Sequence, residues 1–260
     1  MSTSAAERWA SALADWAIPD HIMAGAPESP WAFSPAVFRP PPDPGPDTPS
    51  RLRAREALPV GGSVLDVGCG GGAAGLALVP PAGRVTGFDQ SQELLDLFTG
   101  RAGELGVEHE AVRGSWPDDA ARVDPADVVV CHHVAYNIPR LDAFASALSA
   151  HACVRVVLEL TDRHPRFGMN FLWRHFWDVD RPSGPTADDA IAVLAEAGIE
   201  PDVERTPRAG RGMDPKVRVA SARKYLCLSA ERDAEIEALL DQEGPVPPGE
   251  VVTLSWDGRA

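Results

Sequence analysis

Read for apolar and polar periodicity, the chain falls into two unlike parts. Residues 6–18 place Trp9, Leu13 and Trp16 at i, i+4 and i+7, one apolar stripe of a short amphipathic helix. Prolines then crowd the chain at Pro35, Pro40, Pro41, Pro42, Pro44, Pro46 and Pro49. Residues 34–50 are therefore read as an extended connector, because proline at that density continues neither a helix nor a central strand. Residues 1–50 form an arm and connector, too short for a core of their own.

From residue 51 a regular alternation begins. The pattern predicts helices over 51–58, 71–79, 91–105, 139–151 and 186–198, the last capped by Thr186. It predicts strands over 63–67, 84–89, 107–112, 126–134, 153–161, 201–207 and 251–256. Apolar runs rich in β-branched residues, separated by helices, indicate an α/β domain over 51–260 with a mostly parallel sheet and helices on both faces. Two inserts interrupt the alternation. Residues 162–185 hold Phe167, Phe171, Trp173, Phe176 and Trp177, and residues 208–245 carry a basic run followed by an acidic helix.

The chemistry concentrates where the first strand ends, in V-L-D-V-G-C-G-G-G over 64–72. Glycines there let the backbone turn tightly and approach a ligand, and a helix starting at once offers free N–H groups to an anion. Gly68-x-Gly70-x-x-Ala73 also fits a dinucleotide turn, but Asp66 tells the two apart. A pyrophosphate gains nothing from a carboxylate two residues before the first glycine, whereas a ligand with a positive amine gains an ion pair. S-adenosylmethionine carries that amine, a carboxylate for the turn, and a ribose for Asp89 at the end of the second strand.

Asp66-x-Gly68-x-Gly70-x-Gly72, Asp89, Gly114-Ser115-Trp116 and Asp127-VVVC-His132 resemble, in order, the class I S-adenosylmethionine-dependent methyltransferases. The match covers residues 51–160 and extends less specifically to about 256. The resemblance implies a Rossmann-like seven-stranded sheet of order 3-2-1-4-5-7-6 with the seventh strand antiparallel. It implies that Asp66, Gly68, Cys69 and Gly70 cradle the methionine part, that Asp89 and Gln90 meet the ribose, that Ser115 and Trp116 lie against adenine, and that Cys131 and His132 line the sulfonium. The family commonly has aspartate where Ser115 stands; serine bonds an amino group there more weakly.

Composition narrows the partners. The 260 residues carry a net charge of −14, so phosphate-rich nucleic acid and anionic membrane repel the chain as a whole. Residues 205–224 run against that mean, with Arg205, Arg208, Arg211, Lys216, Arg218, Arg223 and Lys224 against Asp214; pairing with the acidic helix that follows is the ordinary reading of such a run. Cys69, Cys131, Cys153 and Cys227 form no C-x-x-C pair, the pattern of reduced thiols in a cytoplasmic protein. No run approaches the roughly 18 apolar residues of a membrane helix, the N-terminus does not read as a signal peptide, and no metal site is indicated.

His132 and His133 close the fourth strand, at the edge where ligands bind in open α/β sheets, and are the candidates for a catalytic base. Strand alternation aims them at opposite faces. Tyr136 and Asn137 in the next loop, and Asn170, Trp173 and Trp177 in the aromatic insert, are the acceptor-binding candidates. The arm's Trp9, Trp16, Trp31 and Phe33 are candidates to close over the same edge. The expected function is methyl transfer to a small organic acceptor, with oxygen favoured. RNA or protein methylation, idle cofactor binding and nicotinamide-dependent oxidoreduction stand as alternatives.

Overall fold

The computed structural model describes residues 3–31, 38, 43, 45–208, 214–243 and 249–259. Phe33, Arg211 and most of the proline-rich connector lie outside the described residues.

Seven strands, β1 (Ser63–Val67), β2 (Arg84–Asp89), β3 (Glu108–Arg113), β4 (Ala126–His132), β5 (Ala152–Thr161), β6 (Asp202–Pro207) and β7 (Glu250–Asp257), form one sheet of order 3-2-1-4-5-7-6. The first five run parallel, and β7 lies antiparallel between β5 and β6. The order reverses between β1 and β4, so their carboxyl ends open the crevice in which such sheets bind ligands. The helices are α1 (Ala5–Ala14), α2 (Asp20–Met23), α3 (Pro49–Ala57), α4 (Gln92–Leu105), α5 (Leu141–His151), α6 (Asn170–Trp177), α7 (Ala187–Glu196), α8 (Pro215–Tyr225) and α9 (Asp233–Gln242).

Alternation along the inner strands divides the core. Leu65, Val67 and Val129 face one side with Phe144 and Leu148 of α5 and Val193 and Leu194 of α7. Val64, Val85, Val128 and Val130 face the other with Ala54 of α3 and Leu95 and Phe98 of α4. The arm's first helix belongs to the first of these layers. Trp9 is fully buried there, donates its indole N–H to the Ile138 carbonyl, and stacks on Tyr136. Burying a side chain of that size contributes roughly 3 kcal/mol or more, so α1 is anchored by its own composition. A third cluster forms a cap from Ile18 and Ile22 of the arm, Leu172 and Trp173 of α6, Val219 and Tyr225 of α8, and Ile236 and Leu240 of α9.

Two expectations from the sequence are corrected. Residues 71–79 do not form an α-helix; the segment is a series of turns with a short 3-10 stretch at Leu76–Leu78. Gly70, Gly71, Gly72 and Gly75 each cost helix about 1 kcal/mol, Gly72 sits at φ 91°, and Pro80 and Pro81 close the segment. Strand four ends at His132, because His133 turns out of it at φ 60°. Elsewhere bounds move by a few residues, and Thr186 caps α7 in a reciprocal box with Asp189.

Among the described residues, three of the basic run pair with acids, with Asp233 the one partner on the acidic helix that follows, while Arg218 donates to the Leu240 carbonyl at 2.7 Å. Arg223 pairs with Asp233 at 2.8 Å and with Glu28, Lys224 reaches Glu28 at 3.1 Å, and Arg205 pairs with Asp188 and Glu250.

Candidate functional site

The turn between β1 and the 3-10 stretch is held by two carboxylates. Asp66 is buried, and its Oδ2 accepts the Gly75 N–H at 2.8 Å. Asp89 at the end of β2 accepts the Gly70 N–H on Oδ2 and the Ser91 N–H on Oδ1, both at 2.9 Å. Gly68 and Gly70 lie at φ 70° and 53°, where side chains are strained. A Cβ on Gly68 would stand 2.4 Å from Val134 Cγ2, so the turn closes tightly on the loop after β4. Phe38 of the connector covers Gly70, with its ring 3.5 Å from where a Cβ would stand.

These residues suit S-adenosylmethionine. Asp66 Oδ1 is buried without a hydrogen-bond partner among the described residues. Burial, reinforced by the charge of Asp89, pushes the Asp66 carboxyl up to about 7 despite the Gly75 bond. A buried carboxylate short of a positive neighbour is what an ammonium group would relieve. Each oxygen of Asp89 has a second lone pair, and a pair of ribose hydroxyls can use them. Gln90 extends the rim, its Nε2 lying 3.4 Å from Ser115 Oγ.

The other expected cofactor contacts are placed less directly. The Ser115 N–H goes to Asp119 Oδ2 at 2.8 Å, an anchor the sequence reading did not single out. Trp116 is buried edge-on to Phe88, with its indole N–H 3.3 Å from the Phe144 carbonyl, so it is a wall of the core behind the rim. Cys69 and Cys131 are buried, and burial pushes both thiols up, which leaves them packing residues rather than nucleophiles.

The two histidines meet one acid. Because His133 leaves the strand with positive φ, strand alternation no longer separates it from His132. His133 Nε2 lies 3.1 Å from Glu159 Oε1, and His132 Nδ1 lies 3.9 Å from the same oxygen. Glu159 is paired in register with His132 across the β4–β5 ladder. Its other oxygen accepts the hydroxyl of Ser50, a fully buried residue in the first turn of α3, and Ser50 is in turn 2.9 Å from Thr48 Oγ1. Burial alone would raise the Glu159 carboxyl; the two histidines and the Ser50 bond outweigh it and bring it to about 2. His132 is the enclosed member, its Nε2 is without a partner among the described residues, and burial lowers its pKa. The His133 side chain is 51% exposed, so a small molecule can reach it. Glu159 and Ser50 are functional candidates the sequence reading missed. A glutamate inside an apolar strand, read against the histidines of the neighbouring strand, was the available signal.

Acceptor candidates separate into two places. Tyr136 and Asn137 line a cavity of about 280 Å³ with Ala10, Leu13 and Ala14 of α1 and Pro139. The Tyr136 hydroxyl itself is spent on the Thr161 carbonyl at 2.8 Å. Trp173 is fully buried in the cap, Trp177 donates to the Leu226 carbonyl at 2.8 Å, and Asn170 donates to the Pro182 carbonyl at 2.9 Å. Those three build the cap rather than line the edge by His133.

Parts of the chain are similar to known proteins. Residues 64–154 match the methyltransferase domain family. A 98-residue segment is 35% identical to the ubiquinone biosynthesis O-methyltransferase of Salmonella paratyphi A, covering 37% of this chain and 38% of that protein. The Salmonella typhimurium protein of the same name is 34% identical over the same length and coverage. The chain therefore matches well under half the length of these curated relatives. Among solved structures, a SAM-dependent methyltransferase from Thiobacillus denitrificans in complex with S-adenosyl-L-homocysteine is similar over 93% of this chain and 99% of that one, with a TM-score of 0.53 and 17% identity. The YcgJ protein of Bacillus subtilis covers 81% of this chain and 98% of its own, with a TM-score of 0.54 and 18% identity. At such identities the two structures speak for the fold.

Proposed function

We propose that this chain, a class I S-adenosylmethionine-dependent methyltransferase by its domain and its fold, methylates a small organic acceptor at oxygen. The observation that carries the choice of oxygen is the His133–Glu159 pair at the open edge of β4 and β5. When bound, the cofactor supplies a methyl group on a positively charged sulfur, which leaves by direct displacement. Asp66, Gly68, Gly70 and Asp89 would hold it, and Gln90 and Ser115 would border its base.

What the chain must add is position and a place for a proton. Glu159 is ionised at neutral pH and takes the Nε2–H of His133. That fixes the tautomer and leaves Nδ1 as the acceptor of a hydroxyl proton. The imidazolium then formed is stabilised by the same carboxylate, which Ser50 keeps from rotating. The arrangement favours a hydroxyl over an amine, since a neutral amine attacks without first losing a proton. The ubiquinone O-methyltransferases named above also act at oxygen, which supports the reading. The acid-paired state of Arg205, Arg223 and Lys224 speaks against a basic face for RNA.

The test is transfer of labelled methyl from S-adenosylmethionine to a panel of phenols, against a matched panel of amines. Labelling of phenols by the native chain, lost in His133→Ala, supports the reading. Labelling of amines alone, or transfer indifferent to that substitution, overturns it.

A further inference from the structure

Thr48 and Ser50, at the junction of the connector and α3, stand behind the histidine–glutamate pair. Ser50, Ala54 and Leu58 recur at i, i+4 and i+8, and all three are buried. Ala54 and Leu58 join the apolar layer. The stripe turns polar where it meets Glu159, whose Oε2 accepts the Ser50 hydroxyl. Among the described residues that hydroxyl is the one donor to Oε2, while Oε1 faces the two histidines. Thr253 lies opposite Glu159 in the β5–β7 ladder, but its buried Oγ1 bonds to no described residue and gives the carboxylate no second anchor.

The charge of Glu159 fixes the direction of each bond. Glu159 is ionised at neutral pH, and an ionised carboxylate only accepts, so Ser50 donates to it. The Ser50 oxygen is then the acceptor for the Thr48 hydroxyl, 2.9 Å away. Thr48 in turn caps α3, its Oγ1 accepting the Arg51 N–H at 3.3 Å. All the hydrogens point one way, from the first turn of α3 through Thr48 and Ser50 to Glu159. The chain starts at the positive end of the helix dipole, and each bond polarises the next, so it favours negative charge at its far end. Alanine at position 50 would pack as well against an apolar strand; the buried charge opposite is what needs the hydroxyl.

We propose that Ser50, oriented by Thr48, is a positioning residue for methyl transfer. It holds the Glu159 carboxylate at the angle from which Oε1 orients His133, so the end of the connector is part of the active site. This rests on the reading of His133 as the acceptor of a hydroxyl proton, and adds to it a second tier that touches neither acceptor nor cofactor. It also gives the connector a purpose: it ends in the group that the catalytic acid–base pair leans on.

Steady-state kinetics with the phenol that the native chain labels best test the proposal, with each variant made alone and on top of Glu159→Gln. S-adenosylhomocysteine binding, measured in parallel, reports on the methyltransferase reading by itself. Ser50→Ala is expected to lower kcat about five-fold or more, with KM and S-adenosylhomocysteine affinity unchanged. On top of Glu159→Gln it is expected to cost less than about two-fold, because the residue it acts through is already lost. Thr48→Val is expected to lower kcat about two-fold or more, and Thr48→Ser, which keeps the hydroxyl, to restore it. A native kcat in Ser50→Ala, or a loss of equal size with and without Glu159, overturns the proposal and leaves the chain as packing between α3 and β5. Should Ser50→Ala fail to fold, the Thr48 pair decides, and equal turnover in Thr48→Val and Thr48→Ser overturns it. Failure of S-adenosylhomocysteine to bind would overturn the methyltransferase reading, and the positioning role with it. Binding with turnover indifferent to His133→Ala would overturn the base, and likewise the role of Ser50 behind it.

Discussion

His133 turns out of its strand with φ 60° and thereby brings Nε2 to 3.1 Å from Glu159 Oε1, on the strand beside it. A non-glycine residue in that conformation costs of order 1 kcal/mol, and the carboxylate contact compensates it. Glu159→Gln is expected to lower turnover by about ten-fold or more, and His133→Ala by about 10²-fold or more. Neither should change S-adenosylhomocysteine affinity, because neither belongs to the glycine turn. Steady-state kinetics beside calorimetry check this; a change confined to KM would contradict a proton-transfer role.

Asp66 is expected to behave as a carboxylate waiting for a cation. Its pKa is raised to about 7 in the folded chain by burial, then by Asp89, so stability is lost as pH rises from the ordinary aspartate value toward 7. Asp66→Asn keeps an acceptor for Gly75 and removes the charge. The ligand-free variant should gain about 1–3 kcal/mol at pH 8 and much less at pH 5, while binding S-adenosylmethionine more weakly. Denaturant titration at the two pH values measures the gain.

Gly68→Ala places a methyl group 2.4 Å from Val134 Cγ2 at a φ of 70°. Either the loop after β4 or the turn must move, at about 1–3 kcal/mol. Both stability and cofactor affinity should fall, whereas alanine at Gly100, where nothing lies within 4 Å, should be neutral or stabilising. Thermal unfolding with and without S-adenosylhomocysteine distinguishes the two sites.

Acid should loosen the fold in two stages. Burial, with Arg166 and Arg181, makes His164 harder to protonate in the folded chain, at about 4 against 6.5 in the open, so its contribution is complete above 6.5 and is lost as pH falls toward 4. Glu159, at about 2 against 4.5, loses its contribution as pH falls below 4.5. His164→Asn should shrink the first stage and leave the second. Unfolding temperature recorded from pH 7 to 3 reads both stages, and an unchanged first stage would contradict the placement of His164 among cations.

The sheet was readable because its strands are short, β-branched and separated by helices of 3.6 period, and the glycine turn because Asp66 and Asp89 bracket it. The helix at 71–79 was misread because Ala74, Leu76, Ala77 and Leu78 look helical in composition, while the conformation is decided by glycines at 70–72 and 75. The histidine pair was visible as residues but not as a geometry. Nothing local announces that His133 adopts a left-handed conformation, and the partners Glu159 and Ser50 come from 26 and 83 residues away along the chain. Trp173 was seen as aromatic but not as interior, because the cap that buries it is completed by three distant segments, the arm, α8 and α9, and Trp177 is only partly buried against the same cap.

The central claim is that the turn at 66–72 holds S-adenosylmethionine. Calorimetry of the whole chain with S-adenosylmethionine, S-adenosylhomocysteine and NAD tests it most directly. The account predicts binding of the first two at micromolar levels, about −8 kcal/mol, no heat with NAD, and a loss of about 1.5–3 kcal/mol in Asp89→Ala. Binding of NAD in their place, or S-adenosylmethionine affinity unchanged in Asp89→Ala, would contradict it.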